Sequence, residues 1–420
     1  MKDKTIYIGV IGAGVVGKAT INLLEKNRDI ISSRAGANII IKKIVVRDIA
    51  KVNPSFRGLC SLNVDDILDD ESISIVVELI GDIKAAYEIA KKALQKKKAF
   101  VTANKAMLSR YKHNLQNIAL NTPLCFEGSV AGGIPIIKII KDGLSANHIV
   151  SIKGILNGTC NYILTKMDSN ECSFEECLKE AKFLGYAERD PLLDISGLDS
   201  AHKLIILSSI AYGIDVSLDD ILIEGISSID RSDIVFANEF GYSIKLLALA
   251  KKIKNKIELR VHPTLISKNT MLSKVSGVMN AISIIGDSLG ESIYYGAGAG
   301  GSATASSVVS DIIDIIRNNP SPMHTIKSNL ELQTIGNIIS RYYLRLNVIN
   351  TIGTIAKITS VLEKNNISIE VFLQKEANIK SSILLLSTYD SLESNMQNAL
   401  RDLSNLEVVC APPHMIRIED

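Results

Sequence analysis

Residues 6–24, IYIGVIGAGVVGKATINLL, join an apolar strand, the pattern GxGxxG and the start of a helix without a gap. In this context the first glycine allows a tight turn, the second lets the backbone approach a pyrophosphate, and the third lets the helix pack on the strand. The helix amino terminus then faces the phosphates. A purely structural glycine turn is the alternative, but the flanking strand and helix favour a dinucleotide site at Gly12, Gly14, Val15, Val16 and Gly17.

Further apolar strands follow this turn, at residues 39–46, 73–80 and 99–102, with a helix predicted over residues 84–95. Strands that alternate with helices predict an α/β fold with a doubly wound parallel sheet, a Rossmann-type dinucleotide-binding domain. Ligands bind past the carboxyl ends of the strands in such sheets. Thr102 and Lys105 are therefore candidates for contact with the cofactor, although an ordinary solvated loop lysine is the alternative for Lys105.

The end of the second strand bears on the choice of dinucleotide. An acidic residue there binds the ribose hydroxyls of NAD, whereas an arginine meets the 2′-phosphate of NADP. The chain has both, Arg47 followed by Asp48, with Lys51 close behind. Because Arg47 comes first and Lys51 adds positive charge, we predict NADP, with NAD as the alternative.

A second group of polar residues lies in AKFLGYAERDPLLDISGLDSAHK, residues 181–203, which leads into an apolar helix. Asp199 and Lys203 stand four residues apart and hence on one helical face. Partial burial lowers the pKa of a lysine, while a neighbouring carboxylate opposes that shift. Lys203 is therefore placed for proton transfer, and an ordinary surface salt bridge is the alternative.

A segment of small residues, EGSVAGGIP at 127–135, follows the next short strand. Small side chains leave backbone carbonyls accessible beside one carboxylate, and oxygen ligands of this kind suit a hard cation. A glycine-rich hinge explains the composition equally well.

Together these motifs resemble the homoserine dehydrogenase family over essentially the whole chain. The resemblance rests on the glycine fingerprint, on the segment 127–135, and on GYAE, DP and GxDxxxK within residues 181–203. Shorter matches are ELIG at 78–81, TANK at 102–105, NGTCNY at 157–162 and YGAGAG at 295–300. Two positions depart from the family pattern: Asp82 replaces the second glycine of ELIGG, and YGAGAG has alanine where proline is common.

The resemblance implies a role for each matching residue. Lys203 would be the general acid/base, and Lys105 a second catalytic lysine that also contacts the cofactor. Thr102 and Gly300 would join the cofactor site. The implied substrate-binding residues are Tyr186, Glu188, Asp194 and Asp199, and the implied sodium positions are Glu127, Val130, Gly132 and Ile134.

The implied reaction interconverts L-homoserine and L-aspartate 4-semialdehyde in threonine, methionine and isoleucine biosynthesis. The alcohol loses a hydride to the nicotinamide and a proton to a base, for which a positioned lysine is suited. A non-catalytic amino-acid-sensing protein on a dinucleotide-binding scaffold is the alternative, and the intact set of lysines and carboxylates argues against it. An aspartate-semialdehyde dehydrogenase would need a catalytic cysteine, which no motif here frames.

The composition agrees with a cytoplasmic enzyme. A net charge of +2 over 420 residues predicts no nucleic-acid partner. The apolar runs are too short to span a bilayer and the first strand begins near residue 6, so we expect neither a membrane contact nor a signal peptide. The six cysteines include no CxxC pair, which predicts buried, reduced thiols and no zinc site.

The chain divides into three predicted domains. Residues 1–135 form the Rossmann domain, to which a helix at 301–318 returns, and residues 136–300 form a mixed α+β substrate-binding and dimerisation domain. After a linker at 319–338, residues 339–420 follow a βαββαβ order with the last strand near 407–411, which predicts a ferredoxin-like domain.

This last domain resembles an ACT domain, an amino-acid-sensing module attached to such enzymes. Its ligand loop reads Asn350-Thr351-Ile352-Gly353, whereas the family loop has an aspartate and then proline-glycine. The resemblance implies threonine as an effector and a homodimer or homotetramer. A purely structural role in oligomerisation is the alternative, because a fold does not fix a function.

Overall fold

The computed structural model describes residues 4–170, 172–318, 328–378 and 381–419. Within these residues the strands form two large sheets, one of six strands and one of twelve. Residues 319–327 of the predicted linker 319–338 lie outside the described residues, and so do the first three residues and the last.

The amino-terminal sheet is the predicted parallel sheet. Its strands are β1 (Thr5–Ile11), β2 (Asn38–Val45), β3 (Cys60–Ser61), β4 (Ile73–Glu78), β5 (Ala99–Thr102) and β6 (Leu124–Cys125). The helices between them are α1 (Val15–Lys26), α2 (Arg28–Ala35), α3 (Asp65–Leu68), α4 (Ile83–Gln95) and α5 (Lys105–Ala119). The order β3-β2-β1-β4-β5-β6 reverses direction between β1 and β4. That reversal is the topological switch point at which doubly wound sheets bind ligands.

Asp82, which departs from the family pattern, has a local function at the start of α4. Its Oδ1 accepts a hydrogen bond from the backbone N–H of Ala85 at 2.8 Å. A carboxylate at this position satisfies one of the unpaired N–H groups of the first helical turn and interacts favourably with the helix dipole. The substitution therefore caps α4.

The middle of the chain contributes helices and long antiparallel strands. The helices are α6 (Ile136–Lys138), α7 (Gly158–Asn170), α8 (Phe174–Phe183), α9 (Leu192–Ile195), α10 (Leu198–Tyr212) and α11 (Arg231–Glu239). The strands are β7 (Ile149–Ile155), β8 (Leu222–Ile223), β9 (Tyr242–Ile253), β10 (Lys256–Ser267), β11 (Met279–Gly286) and β12 (Gly290–Ala297). The apolar pattern of the sequence predicts strands at residues 148–155, 257–264 and 281–285, which correspond to β7, β10 and β11. It does not predict β9, which pairs with β10 along its whole length. The helix α12 (Gly301–Asn318) then packs on α1, α2 and β5 of the first sheet.

The C-terminal segment has the βαββαβ order in β14-α13-β15-β16-α14-β18, with two short strands in addition: β13 in the predicted linker and β17 between β16 and α14. Its elements are β13 (Glu331–Leu332), β14 (Ile339–Ile349), α13 (Thr354–Lys364), β15 (Ile369–Asn378), β16 (Ser381–Thr388), β17 (Ser391–Leu392), α14 (Glu393–Ser404) and β18 (His414–Glu419). The predicted last strand at residues 407–411 is wrong. Val409 makes only an isolated bridge to Val348, and the strand forms after Pro412 and Pro413. Proline has no N–H to donate, so a ladder does not extend through this pair.

The strand β18 joins the C-terminal segment to the middle of the chain. It pairs in parallel with β10 on one side and antiparallel with β14 on the other. The sheet therefore continues from β12 to β15 across this strand. The described end of the predicted linker also contacts the sheet, because β13 pairs with β10.

One expectation about the cysteines was wrong. Cys172 and Cys177 form a disulfide with a Cα–Cα distance of 6.4 Å. Cys172 directly precedes the N-cap Ser173 of α8, and Cys177 lies four residues after that cap, so the first turn of the helix brings the two thiols together. In the described part of the chain no helix combines the length and apolar character that crossing a bilayer requires.

Candidate active site

The glycines of the fingerprint lie at the switch point, where Gly12 and Gly17 pack tightly against neighbouring backbone. Gly12 has a φ of +100°, and a Cβ there would lie 2.5 Å from the carbonyl oxygen of Leu79. A Cβ at Gly17 would collide with the carbonyl oxygen of Gly12, whereas Gly14 faces open space. Only glycine suits the first and third positions, and the open second position leaves room for a close ligand.

The amino terminus of α1 opens into a cleft of about 670 Å³. Its N-cap, Gly14, provides no side-chain hydrogen bond, so the first N–H groups of the helix are available for an anion. A Cβ at Gly301 would lie 3.1 Å from Val15, and the neighbouring Gly300 has a φ of +108°. The start of α12 thus closes on the fingerprint, which brings Gly300 beside the predicted cofactor residues.

Two basic residues line the far end of this cleft. Arg47, Asp48 and Lys51 all border it. The carboxylate of Asp48 accepts a hydrogen bond from the backbone N–H of Ala50 at 3.0 Å and lies 3.7 Å from the Lys51 ammonium. Arg47 has no hydrogen bond or ion pair with any of the described residues, and its guanidinium is exposed.

On the other side of the switch point, the buried carboxylate of Glu78 connects two loops by hydrogen bonds. Glu78, at the end of β4, accepts hydrogen bonds from the hydroxyl of Thr102 and the backbone N–H of Ile80, both at 2.6 Å. Burial raises the pKa of Glu78 to about 7, and the two hydrogen bonds oppose this rise. The Thr102 hydroxyl also accepts from the N–H of Asn104 at 3.0 Å. Thr102 is completely buried, so its side chain shapes the loop and does not line the cleft.

Past these loops, one carboxylate holds two lysines from different parts of the chain. Asp199 lies at the start of α10 and Lys105 at the start of α5. The Asp199 carboxylate is 2.5 Å from the Lys105 ammonium and 2.7 Å from the Lys203 ammonium. Lys203 also donates to the backbone carbonyl of Leu156 at 2.5 Å. We call Lys105, Asp199 and Lys203 the lysine–aspartate cluster.

The two lysines differ in exposure and in charge state. The side chain of Lys203 is 7% exposed and that of Lys105 is 41% exposed. Burial lowers the pKa of Lys203, and the Asp199 carboxylate opposes this. At Lys105 burial also lowers the pKa, but Asp199, Asp194 and Glu188 outweigh it, so the pKa is raised. Lys105 therefore remains a cation, while Lys203 releases its proton more readily.

Asn157 and Thr159 complete the cluster, and the sequence analysis gave them no role. The amide of Asn157 donates to Asp194 at 2.7 Å and to Asp199 at 3.0 Å. The hydroxyl of Thr159 donates to the backbone carbonyl of Tyr186 at 2.7 Å and lies 3.2 Å from the Asp194 carboxylate. In the sequence, the motif NGTCNY at residues 157–162 indicated these two residues. The roles of these residues depend on hydrogen bonds to partners 27 to 42 residues away in the chain, which the spacing within a motif does not reveal.

The remaining predicted substrate residues lie at the rim. Glu188 is exposed, and its charge acts on Lys105. The ring of Tyr186 is half exposed and contacts that of Tyr162 in a tilted arrangement, with the ring centroids 5.0 Å apart. Asp194, on α9, lies deeper. The structure thus surrounds the lysine–aspartate cluster with carboxylates.

The predicted sodium positions form a buried loop beside α12. The carboxylate of Glu127 accepts from the backbone N–H groups of Ile137 and Lys138, each at 2.9 Å. Burial raises the pKa of Glu127 to about 7. The carbonyl oxygen of Gly132 accepts from the Ser307 hydroxyl at 2.6 Å. Among the described residues no cluster of three or more histidine, cysteine, aspartate or glutamate side chains could hold a metal ion.

Comparison with known proteins agrees with this geometry. Residues 12–122 match the model of the homoserine dehydrogenase NAD-binding domain, and residues 135–313 match the model of homoserine dehydrogenase itself. A homoserine dehydrogenase from Helicobacter pylori is 53% identical over 420 residues, covering 99% of this chain and 100% of the relative. The chain belongs to the homoserine dehydrogenase family. It is therefore an oxidoreductase that uses a nicotinamide dinucleotide.

Two solved structures of the homoserine dehydrogenase family extend the comparison. The enzyme from Thiobacillus denitrificans is 40% identical, with a TM-score of 0.92 and 99% of each chain covered. A hyperthermophilic archaeal homoserine dehydrogenase in complex with NADPH is 27% identical, with a TM-score of 0.64, and covers 76% of this chain and 99% of its own. The similarity to these homoserine dehydrogenases favours the prediction of an enzyme over the alternative of a non-catalytic amino-acid-sensing protein.

Proposed function

We propose that the protein interconverts L-homoserine and L-aspartate 4-semialdehyde, with Lys203 as the general acid/base. The observation that carries this proposal is the lysine–aspartate cluster, in which one buried carboxylate holds two lysines of different pKa. When the dinucleotide is bound, it supplies the hydride acceptor or donor. The fingerprint glycines, the free N–H groups of α1 and the adjacent cleft fit such a ligand.

In the oxidation direction, Lys203 takes the proton of the substrate hydroxyl at its Nζ. Two acceptors, the Asp199 carboxylate and the Leu156 carbonyl, fix the direction of that nitrogen. Burial lowers the pKa of Lys203, which enlarges the neutral fraction that can act as a base. Lys105 keeps its charge and stabilises negative charge that develops on the substrate oxygen.

The surrounding carboxylates suit an amino-acid substrate. We propose that Glu188 and Asp194 bind the substrate ammonium, because charge-assisted hydrogen bonds favour this pairing. Asp199, which the resemblance also implied as a substrate-binding residue, is paired with both lysines, and we propose that it contributes by orienting them. Tyr186 borders the entrance with its half-exposed ring.

Replacing Glu188 by glutamine should raise the KM for homoserine roughly tenfold, the size of one charge-assisted hydrogen bond. The KM for the dinucleotide should not change. Steady-state kinetics with each substrate varied in turn measures both values. Asp190→Asn is the matched control, because Asp190 is an exposed carboxylate of the same segment. An equal KM increase in the control would show that only the net charge of the loop matters.

We further propose NADP as the preferred dinucleotide. The Asp48 carboxylate already interacts with the backbone N–H of Ala50 and the ammonium of Lys51. Arg47 lines the cleft, and its guanidinium is unpaired among the described residues. A planar guanidinium matches a phosphate in charge and geometry. The archaeal homoserine dehydrogenase solved in complex with NADPH supports the same choice.

Purified protein should reduce NADP with L-homoserine at a lower KM than NAD, each cofactor being assayed separately. Arg47→Ala should raise the KM for NADP about tenfold or more and leave that for NAD nearly unchanged, because only NADP carries the 2′-phosphate. Arg34→Ala, an exposed arginine outside the cleft, is the control. Equal losses for both dinucleotides would contradict the NADP assignment, and no turnover with either would contradict the function.

The other sequence predictions remain proposals. We propose that the C-terminal βαββαβ domain is an ACT domain that binds threonine, supported by the strand order β18-β14-β16-β15 and by Asn350 at the end of β14. We also propose a homodimer or homotetramer, for which the edge strands β12 and β15 offer pairing surfaces. The domain limits and the cytoplasmic location stay predictions.

A sodium ion at Glu127, Val130, Gly132 and Ile134 is likewise a proposal. The loop is buried, and a carbonyl oxygen that accepts one hydrogen bond, as Gly132 does, retains a second lone pair for a cation. A positive ion would also favour the charged form of Glu127, whose pKa burial raises to about 7.

A further inference from the structure

Arg417 is a buried arginine at the boundary between the C-terminal domain and the middle of the chain. It is 1% exposed and lies on β18, paired with Thr264 of β10 and Tyr342 of β14. Its guanidinium donates to the Glu393 carboxylate at 2.6 and 2.9 Å. It donates to the Glu224 carboxylate at 2.8 and 2.9 Å. A single side chain thus binds two carboxylates, each through two hydrogen bonds.

The two carboxylates belong to different parts of the molecule. Glu393 begins α14 of the C-terminal domain, where Tyr342 and Gln397 also donate to it at 3.0 and 2.9 Å. Glu224 follows β8 in the middle of the chain, and its side chain is 36% exposed. Arg417 therefore connects a rigid point of the C-terminal domain to the segment 224–226.

That segment packs directly on the loop 195–197, which lies between Asp194 and Asp199. The backbone N–H of Ile226 donates to the carbonyl oxygen of Ile195 at 2.9 Å. A Cβ at Gly225 would collide with the same carbonyl oxygen and lie 2.8 Å from Ser196. The two backbones touch with no side chain between them, so a shift of one segment moves the other.

The loop 195–197 joins the two carboxylates. It connects α9, which carries Asp194, to α10, which carries Asp199, and Asn157 bridges both. Gly197 has a φ of +86°, and a Cβ there would lie 3.2 Å from the carbonyl oxygen of Glu224. The spacing of Asp194 and Asp199 thus depends on where the segment 224–226 rests.

We propose that Arg417 is a positioning residue for the active site, which acts through Glu224. By holding the segment 224–226 against the loop 195–197, it fixes the separation of Asp194 and Asp199 and hence the affinity for the amino-acid substrate. This inference rests on the proposed roles of those two carboxylates. Arginine suits the position because its planar fork binds two carboxylates bidentately, which a lysine ammonium does not.

The test compares Glu224→Ala with Arg417→Lys and Arg417→Met in the full-length protein. Glu224 is partly exposed, so its variant should fold even if an Arg417 variant does not. In each folded variant the KM for homoserine should rise roughly 3- to 30-fold, the range of such indirect couplings, with the KM for the dinucleotide unchanged. The double variant Glu224→Ala/Arg417→Met should be no worse than the more affected single variant, because both remove one connection.

Arg345→Met is the matched control. Arg345 forms another buried ion pair across the same boundary, with Nε 2.8 Å from the Asp233 carboxylate, but its partner lies on α11, which packs on β9 and α7. It should lower the unfolding temperature without raising the KM for homoserine. An unchanged KM in Glu224→Ala, or an equal rise in Arg345→Met, would overturn the inference. The wild-type protein is assayed alongside, and a wild type that does not oxidise homoserine would instead refute the proposed function on which the inference depends.

Discussion

Replacing Lys203 by methionine should lower kcat for homoserine oxidation roughly 100- to 10,000-fold, the usual contribution of a general acid/base. Methionine fills a similar volume in this buried position but cannot accept a proton. The dinucleotide should bind as before, because Lys203 lies on α10, away from the fingerprint on α1. Stopped-flow or steady-state rates measure the loss, and fluorescence titration with NADPH measures binding.

Lys245→Met provides a matched control for this loss. Lys245 is also a buried lysine, and burial lowers its pKa to about 8, but it hydrogen-bonds to the carbonyl of Val275 and not to the lysine–aspartate cluster. The control should lose stability without a comparable loss of kcat. If Lys203→Met kept roughly the full rate in a folded protein, Lys203 would not be the proton-transfer group, and Lys105 would be the next candidate.

Asp199→Asn should lower kcat/KM for homoserine roughly 100- to 1,000-fold, the range seen when one preorganised polar group is removed from an active site. Asp199 is the only described residue within ion-pairing distance of both lysines, so its loss releases Lys105 and Lys203 together. Replacement by an amide keeps the volume and removes the charge.

The same variant should also shift the pH profile of the remaining activity. The negative charge of Asp199 favours the protonated form of Lys203, so its removal lowers the pKa of Lys203 further. Oxidation requires neutral Lys203, and the acidic limb of kcat/KM should therefore move to lower pH. Asp233→Asn, which removes a buried aspartate paired with Arg345, should leave this limb in place. A shift of the limb to higher pH would exclude Lys203 as the group that titrates.

Local patterns in the sequence were sufficient for much of the fold. The glycine fingerprint predicted the β1-α1 turn, because the steric demands at Gly12 and Gly17 come from neighbours within the same motif and the strand beside it. The alternation of apolar strands with helices predicted the parallel sheet, which the structure and the match to the NAD-binding domain confirm. The pairing of Asp199 with Lys203 followed from their spacing on a single helix.

Patterns failed where a segment depends on distant partners. The strand β9 was missed, since its apolar run resembles a buried helix until β10 pairs with it. The residues at 407–411 have strand-forming side chains, yet the edges of β10 and β14 are occupied by the residues after the two prolines. The disulfide between Cys172 and Cys177 follows from the turn into α8 and not from a cysteine motif.

The sequence by itself determined which residues are able to do the chemistry, and the tertiary structure decided how they act. Lys105 and Asp199 are far apart in the chain, and only the packing of α5 on α10 brings them within 2.5 Å. The degree of burial, which no sequence pattern gives, separates the pKa directions of the two lysines. Arg417 appeared in no motif, and its contact with Glu224 exists only because β18 inserts between β10 and β14. Charge and hydrogen-bonding capacity belong to each residue, whereas distance and desolvation arise only when the chain is folded.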